Sequence, residues 1–594
     1  MNRATVNAVH SLPADVLDAL LTGGGDGDAV RALADVQLSR HVLMLREVLD
    51  LAAERDPDAA AAGYLRQNFD ALAAVDADLR PAVPEVLRHP YLGSWAMACL
   101  RHLTGGTPPG AVPAPHLAPH LAHLGSVALA AALATGRPVT VHVPVRDGFV
   151  HVPDLGAFGV PTVTDARIVP VEYDGADRLR VGSGVHARDV PTDPWTADGG
   201  WLPLRTWTSG EGVTWVLDDG DPYRGSFLRN ATPRLTDDEV KAWRDDLSTS
   251  WELLIARHPV AAGRLAAGLR VLTPLAPPPG GAETSAASRY APGAIGMSRP
   301  SSPRRLAAGL VHEFAHLVLH GLSDVVPLVR PETPAETLLY SPWRRDPRPP
   351  TGVLFGVHAW LGVTAFWRAE ALAGPGDTSA AFEWARGQEM LREGVRVLRA
   401  SGTTTAAGHR VLDAGAELVG RPFVATVPER TVHLAEDVVA DHALRWRLRH
   451  LVPDAVAVRE LAARWAAGEP AIDVPGDTLV PAPAPDAGDE TRAKRALALV
   501  AGEPGADDAS DGDGALVTGD YATALERHEE AIRSEPDDVQ AWSGAHVARL
   551  RLTGADWHEA RPSLAREVFG ALRRDGRSVR PGDVIVRSTG RTRE

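Results

Sequence analysis

Hydrophobic positions recur at helical spacing from Pro13 to about Thr107, as Leu17, Leu20 and Leu21, then Val42, Leu45, Val48 and Leu49, then Leu65, Phe69 and Leu72. The run Thr107-Pro108-Pro109-Gly110 breaks the pattern, and one more helix is expected over His116 to Thr135. The character then changes. Val139–Val143, Gly148–Val152, Ala166–Tyr173 and Leu179–Val181 are short and β-branched, with Gly, Pro or Asp at their ends, so they predict strands. Trp201–Leu217 is expected to continue a sheet. Helical periodicity resumes at Thr236, which with Glu239 predicts a capping box, and persists with interruptions to about Gly468.

Two irregular segments interrupt that helical half: Ala276–Pro300, rich in Pro, Gly and Ser, and Pro327–Pro350, dense in Pro. Loops of this length inside a compact domain are usually functional or disordered. These two flank one polar-faced helix, which favours function. A Pro/Ala/Asp/Gly linker follows. After it, Gly519-Asp520-Tyr521-Ala522 with Ala524, Leu525, Ala531, Pro536 and Ala541 resembles a single tetratricopeptide helix pair. One such pair cannot bury its own face, so it must pack on the main body or be a degenerate tail. The expected class is α+β, mainly α. Its regions are a helical 1–110, a strand-rich 111–235, a helical 236–469 carrying the candidate site, a linker at 470–514 and a helical tail at 515–594.

Composition narrows the function classes. The 594 residues are 44% hydrophobic and 23% charged, an ordinary globular balance. The formal net charge of −15 repels phosphate backbones, so nucleic acid is not an expected partner. The single cysteine, Cys99, makes no intramolecular disulfide and no cysteine-ligated cluster; it is expected to be a small buried hydrophobe. No secretory signal is visible at the start of the chain. The greasiest window, Leu121–Ala134, is shorter than the ~20 residues a membrane span needs. A cytoplasmic protein without a membrane partner is the expectation.

The candidate chemistry lies in Leu306–Leu319, LAAGLVHEFAHLVL. His312 and His316 are four apart on an expected helix, so their imidazoles share one face and suit a single metal ion. Glu313 stands beside them, where it acts on a metal-bound water or orients a ligand. Apolar flanks make an exposed, accidental motif a poor explanation, because burying these three polar groups without a partner is costly. The motif alone leaves the reaction open. A zinc peptidase of the HExxHxxGxxH type is excluded by Leu319 and Leu322, although Glu332 or Glu336 remains a candidate third ligand. A mononuclear non-haem iron site instead needs three ligands and open positions for a 2-oxoacid and dioxygen. His358, in the apolar run Val353–Trp367, is the candidate third ligand, with His320 as a rival. Arg344, Arg345, Arg348 and Arg410 are candidate partners for the oxoacid's distal carboxylate.

Six segments together carry a resemblance: HPYLGSWA (89–96), LDDGDPYRGSF (217–227), GAIGMSRP (293–300), LVHEFAHLVL (310–319), YSPWRRDPRPPTGVLFGVHAWLGV (340–363) and, loosely, AAGHRVLDAG (406–415). Over most of the chain up to about Gly468, the sequence resembles the HExxH-motif peptide-modification family of bacterial ribosomal-peptide clusters. That resemblance implies Fe(II)- and 2-oxoglutarate-dependent β-hydroxylation of residues in a ribosomally made precursor peptide. It implies His312, His316 and His358 as iron ligands, Arg344 or Arg348 at 2-oxoglutarate, and Glu313 as a group that fixes a ligand or water. The tetratricopeptide-like tail is no part of the pattern. A zinc peptidase and a non-catalytic peptide-binding scaffold remain the alternatives.

Overall fold

The computed structural model describes residues 11–55, 59–76, 82–105, 117–160, 167–184, 187–195, 200–224, 232–278, 283–423, 427–470, 472, 474–482 and 491–588. The expected break at Thr107–Gly110, the helix start at His116, the strand start at Ala166 and residues 225–227 of the LDDGDPYRGSF segment lie outside them. The chain is mainly α with several small sheets. It divides into two compact units, the first formed by residues 1–20 and 24–326 and the second by 21–23 and 327–594. The boundary at Val326/Pro327 falls inside the stretch expected as one helical region, 236–469.

In the first unit, helices Gly27–Arg55, Ala59–Asp76 and Pro90–Leu103 precede Leu117–Ala122 and Leu124–Thr135. The single helix expected up to Thr135 is therefore two, parted at His123. Together they form the one described stretch long and apolar enough to cross a membrane, and 72% of it is buried inside the protein. Leu45, Val48, Leu65, Leu72, Trp95 and Leu129 share a core with Val141, Val150, Phe158 and Val171 of the strand region. Cys99 is fully buried in that core, and burial pushes its thiol well up.

Among the described residues of this unit, the strands in chain order are β1 (Val139–Pro144), β2 (Phe149–Val152), β3 (Gly156–Gly159), β4 (Ile168–Tyr173), β5 (Arg178–Val181), β6 (Arg188–Pro191), β7 (Trp201–Pro203), β8 (Arg205–Thr208), β9 (Thr214–Leu217), β10 (Val271–Pro274), β11 (Ser285–Ala287) and β12 (Ala294–Met297). They make an antiparallel sheet in the order β1-β4-β5-β6, a smaller one in the order β2-β3-β7, and a mixed sheet in the order β11-β12-β10-β9-β8. In the mixed sheet β12, β10 and β9 run parallel, while β11 and β8 close the two edges antiparallel. Three of its strands lie where the sequence predicts helix or irregular chain. Val271–Pro274 and Ala294–Met297 are buried at every position. A four-residue apolar run of that kind has no period by which to tell a central parallel strand from a helix.

Helix Asp237–Arg257 starts at the expected capping box: Glu239 N–H donates to Thr236 Oγ1 at 3.3 Å and Thr236 N–H to Glu239 Oε2 at 2.7 Å. Its Trp251 packs on Trp207 of β8 and Trp215 of β9, with ring centroids 6.0 and 5.5 Å away, which seats the helix on the mixed sheet.

The second unit is mainly helical, with a short antiparallel pairing of Leu451–Val452 with Thr478–Leu479. Pro350–Ala373, Thr378–Ser401, Ala406–Val419 and Glu429–His450 come first, then Ala455–Ala467, Thr491–Ala501, Gly512–Thr518, Tyr521–Ser534, Val539–Thr553, Pro562–Arg574 and Pro581–Ser588. The C-terminal helices do not stand apart. Ala440 and Leu444 of the Glu429–His450 helix share a core with Leu516, Ala524 and Val547. The expected linker 470–514 includes helix Thr491–Ala501, whose Arg492 is 1% exposed. Arg492 pairs with buried Asp441, donates to Asp513 Oδ1 at 2.8 Å and to the Gln540 carbonyl at 2.6 Å, and so binds its own helix to three others. Composition marked this stretch as linker because one buried arginine among Pro, Ala and Asp carries no periodic signal. Removing one partner from a buried charge network leaves the others uncompensated. Arg492→Ala is expected to destabilise the second unit by about 3 kcal/mol, read as a lower urea midpoint; an unchanged midpoint would refute this role.

Candidate metal centre

The HExxH motif lies on helix Pro303–Ser323. Ser302 caps its start, accepting from Arg305 N–H at 3.3 Å, and Pro303 occupies the first turn, where a missing N–H costs nothing. Leu306, Ala307, Leu310, Leu319 and Leu322 are fully buried and hold the helix rigidly. At its N-terminal end, Ser250 Oγ donates to the Pro303 carbonyl at 2.8 Å. Glycine at 309 faces Met297 of β12, so the helix lies close against the mixed sheet.

The structure brings His312, Glu313 and His316 together, with one ligand atom from each within 4.8 Å of the others. The two imidazole Nε2 atoms are 3.1 Å apart, and the rings stand at 87°. At a metal–nitrogen distance of about 2.1 Å, that spacing corresponds to a ligand–metal–ligand angle of roughly 95°. Both nitrogens are therefore close enough to share one ion, at a spacing nearer the octahedral than the tetrahedral angle. Burial lowers the pKa of His312 to about 4, which keeps the imidazole neutral at neutral pH.

Glu313 is 3% exposed. Its Oε1 lies 3.9 Å from His312 Nε2 and accepts a 2.6 Å hydrogen bond from Ser285 Oγ of β11. Its Oε2 is buried and has no hydrogen-bond partner among the described residues. Burial raises the acid to about 7, and the Ser285 hydroxyl pulls it the other way. An orphaned carboxylate oxygen beside two converging imidazoles fits a cation or its bound water, which would satisfy both. Ser285 was not among the residues singled out from sequence. Its segment has the composition of a Pro/Gly/Ser-rich loop, and no pattern links it to a helix position 28 residues away.

The other expected site residues belong to the second unit. His358 is 1% exposed on helix Pro350–Ala373. Arg410 is exposed on helix Ala406–Val419, and Glu332 and Glu336 are exposed outside any helix. In the first unit, burial lowers the pKa of the part-exposed His320, the rival ligand, to about 4. Arg344 and Arg348 sit on a tied loop. Leu339 and Arg348 exchange backbone hydrogen bonds of 2.7 and 2.9 Å, and the Arg345 carbonyl accepts from His450 Nε2 at 2.8 Å. Asp346 lies between the two guanidiniums, 3.1 Å from each. Burial works against its charge, but Arg344 and the Arg348 hydrogen bond hold it below the ordinary carboxylate range. Trp343 anchors the loop. It stacks on Trp360 at 24° and fills the space that a side chain at Gly356 would need, with its ring edge 2.8 Å from where a Cβ of Gly394 would stand.

No protein-family model matches the chain, and no curated protein matches it.

Two outcomes test this geometry. Ser285→Ala strips the one donor from a buried carboxylate and should cost the metal-free protein about 1–3 kcal/mol in urea unfolding; an unaltered midpoint would show that the bond contributes nothing. Gly356→Ala should destabilise by about 1–3 kcal/mol through overpacking against the Trp343 indole. In a Trp343→Ala background its sign should reverse, since alanine is the better helix former by about 1 kcal/mol. The same penalty in both backgrounds would refute the slot.

Proposed function

We propose that this chain is an Fe(II)- and 2-oxoglutarate-dependent oxygenase that hydroxylates the β-carbon of residues in a ribosomally made precursor peptide, acting in the cytoplasm. The observation that carries the reading is the His312–His316 pair, whose Nε2 atoms are 3.1 Å apart beside a buried carboxylate oxygen without a partner. The six sequence segments of the resemblance supply the choice of reaction. Iron with its cosubstrates would insert one atom of dioxygen into a C–H bond while 2-oxoglutarate becomes succinate and carbon dioxide.

The protein's own part is binding and orientation. His312 and His316 would hold the ion through their Nε2 atoms, and burial keeps the His312 imidazole neutral. Glu313, held through Oε1 by Ser285, keeps Oε2 available to orient a water or a ligand. The loop that carries Arg344 and Arg348 offers fork-shaped donors of the kind that match a carboxylate. Helices Tyr521–Ser534 and Val539–Thr553 are read as the tetratricopeptide-like pair.

A zinc peptidase is the second reading, and one observation favours it: an acid raised to about 7 by burial is poised for general-base work at neutral pH. Anaerobic titration of the metal-free protein with Fe(II) and 2-oxoglutarate separates the two. The oxygenase predicts a visible charge-transfer band that is lost in His312→Ala and His316→Ala. Loss of the band in His358→Ala would place that residue among the ligands, and an intact band would remove it. Tight zinc binding with no band, and peptide cleavage abolished in Glu313→Gln, would overturn the oxygenase.

A further inference from the structure

The mixed sheet has two edges, and the structure treats them differently. On β8, the outer edge is partly capped: Arg244 Nε donates to the Thr206 carbonyl at 2.7 Å. On β11 the outer edge has no strand partner among the described residues. Ser298 N–H donates to the Thr284 carbonyl at 2.8 Å, which fixes 284/298 as a hydrogen-bonded antiparallel pair. The pattern alternates, so Ala286 faces Gly296 in the next bonded pair, and the N–H and C=O groups of Ser285 and Ala287 point away from β12. No further backbone partner for them occurs among the described residues.

The β11 side chains are Ser, Ala and Ala, with Ser285 exposed and both alanines half-buried. There is no lysine, proline or bulge of the sort by which proteins usually blunt an exposed edge. Ser285 also points its hydroxyl to Glu313, so the face of the sheet on which it lies is the face that carries the imidazole pair. A strand added to this edge would run about 4.8 Å from β11, and its alternate side chains would project on that same face.

We propose that the peptide substrate binds in extended form as an added strand on the open edge of β11, hydrogen-bonded to the N–H and C=O groups of Ser285 and Ala287. Recognition is then through the peptide backbone, with selectivity confined to the side chains that project toward His312, Glu313 and His316. The small side chains of β11 let the incoming backbone approach. The inference rests on the reading of a peptide substrate at the metal site, and it names the surface that would hold that peptide.

The test uses the full-length protein and a degenerate decapeptide pool carrying one central benzoylphenylalanine, photolysed and mapped by mass spectrometry. Crosslinks are expected within the segment 283–290 and on the helix Pro303–Ser323. A pool with N-methylated backbone amides should label that region at least tenfold less, and this comparison needs no variant to fold. Ala287→Pro, which removes one edge donor, should lower labelling similarly while the iron and 2-oxoglutarate band persists. Labelling elsewhere, or equal labelling by the methylated pool, overturns the inference even where the band forms. Edge labelling without the band upholds the inference and sinks the oxygenase reading instead.

Discussion

The Ser285–Glu313 hydrogen bond ties the outermost strand of the mixed sheet to the helix that carries both imidazoles. A carboxyl group at 3% exposure costs several kcal/mol to ionise unless something stabilises its charge. The protein offers one neutral donor and leaves the second oxygen unmatched. That imbalance is affordable only because the helix itself is over-determined, with Leu306, Leu310, Leu319 and Leu322 fully buried around it. A rigid apolar frame thus holds a polar triad that is incomplete by itself. The sheet order then sets the surroundings, since β11 is the strand beside the triad and also the outermost strand of its sheet among the described residues.

What could be read from the sequence follows from which signals are local. The spacing of His312 and His316 is a property of any helix, and the capping box at Thr236 is complete within four residues. β1, β2, β4 and β5 lie within a residue or two of their expected bounds because β-branched alternation marks a half-buried strand. β10 and β12 were missed because a strand buried on both faces does not alternate. Ser285 was missed for a different reason: its partner is 28 residues away, and a serine in a Ser-rich loop looks like every other. The linker reading of 470–514 failed similarly at Arg492, where burial depends on contacts with Asp441, Asp513 and Gln540 that no window of sequence contains.

The second unit shows the same logic with polar groups as fasteners. The proline-rich loop around Trp343 is not held by regular structure, yet it is fixed at both ends by the Leu339–Arg348 pairing and in the middle by an indole slotted against Gly356 and Gly394. Fixing the loop fixes Arg344 and Arg348, and Asp346 sets what they can do. Any dicarboxylate that takes either guanidinium must displace an internal carboxylate or share its donors. Both arginines are roughly half exposed, so the ion pairs are screened and exchange with an external carboxylate is cheap. The internal acid therefore aligns the two guanidiniums through ion pairs that are individually weak.

The state of Glu313 depends on what stands beside it. Burial raises the acid to about 7 against the pull of the Ser285 hydroxyl, so protonated and ionised forms coexist at neutral pH. A dication taken up by His312 and His316 would favour the ionised form, because opposite charge at short range outweighs desolvation. Metal uptake and proton release are then the same event, as they are wherever a ligand set must give up protons to bind. A buried, half-satisfied carboxylate at this position carries a local deficit, and a cation held by the imidazole pair would remove it.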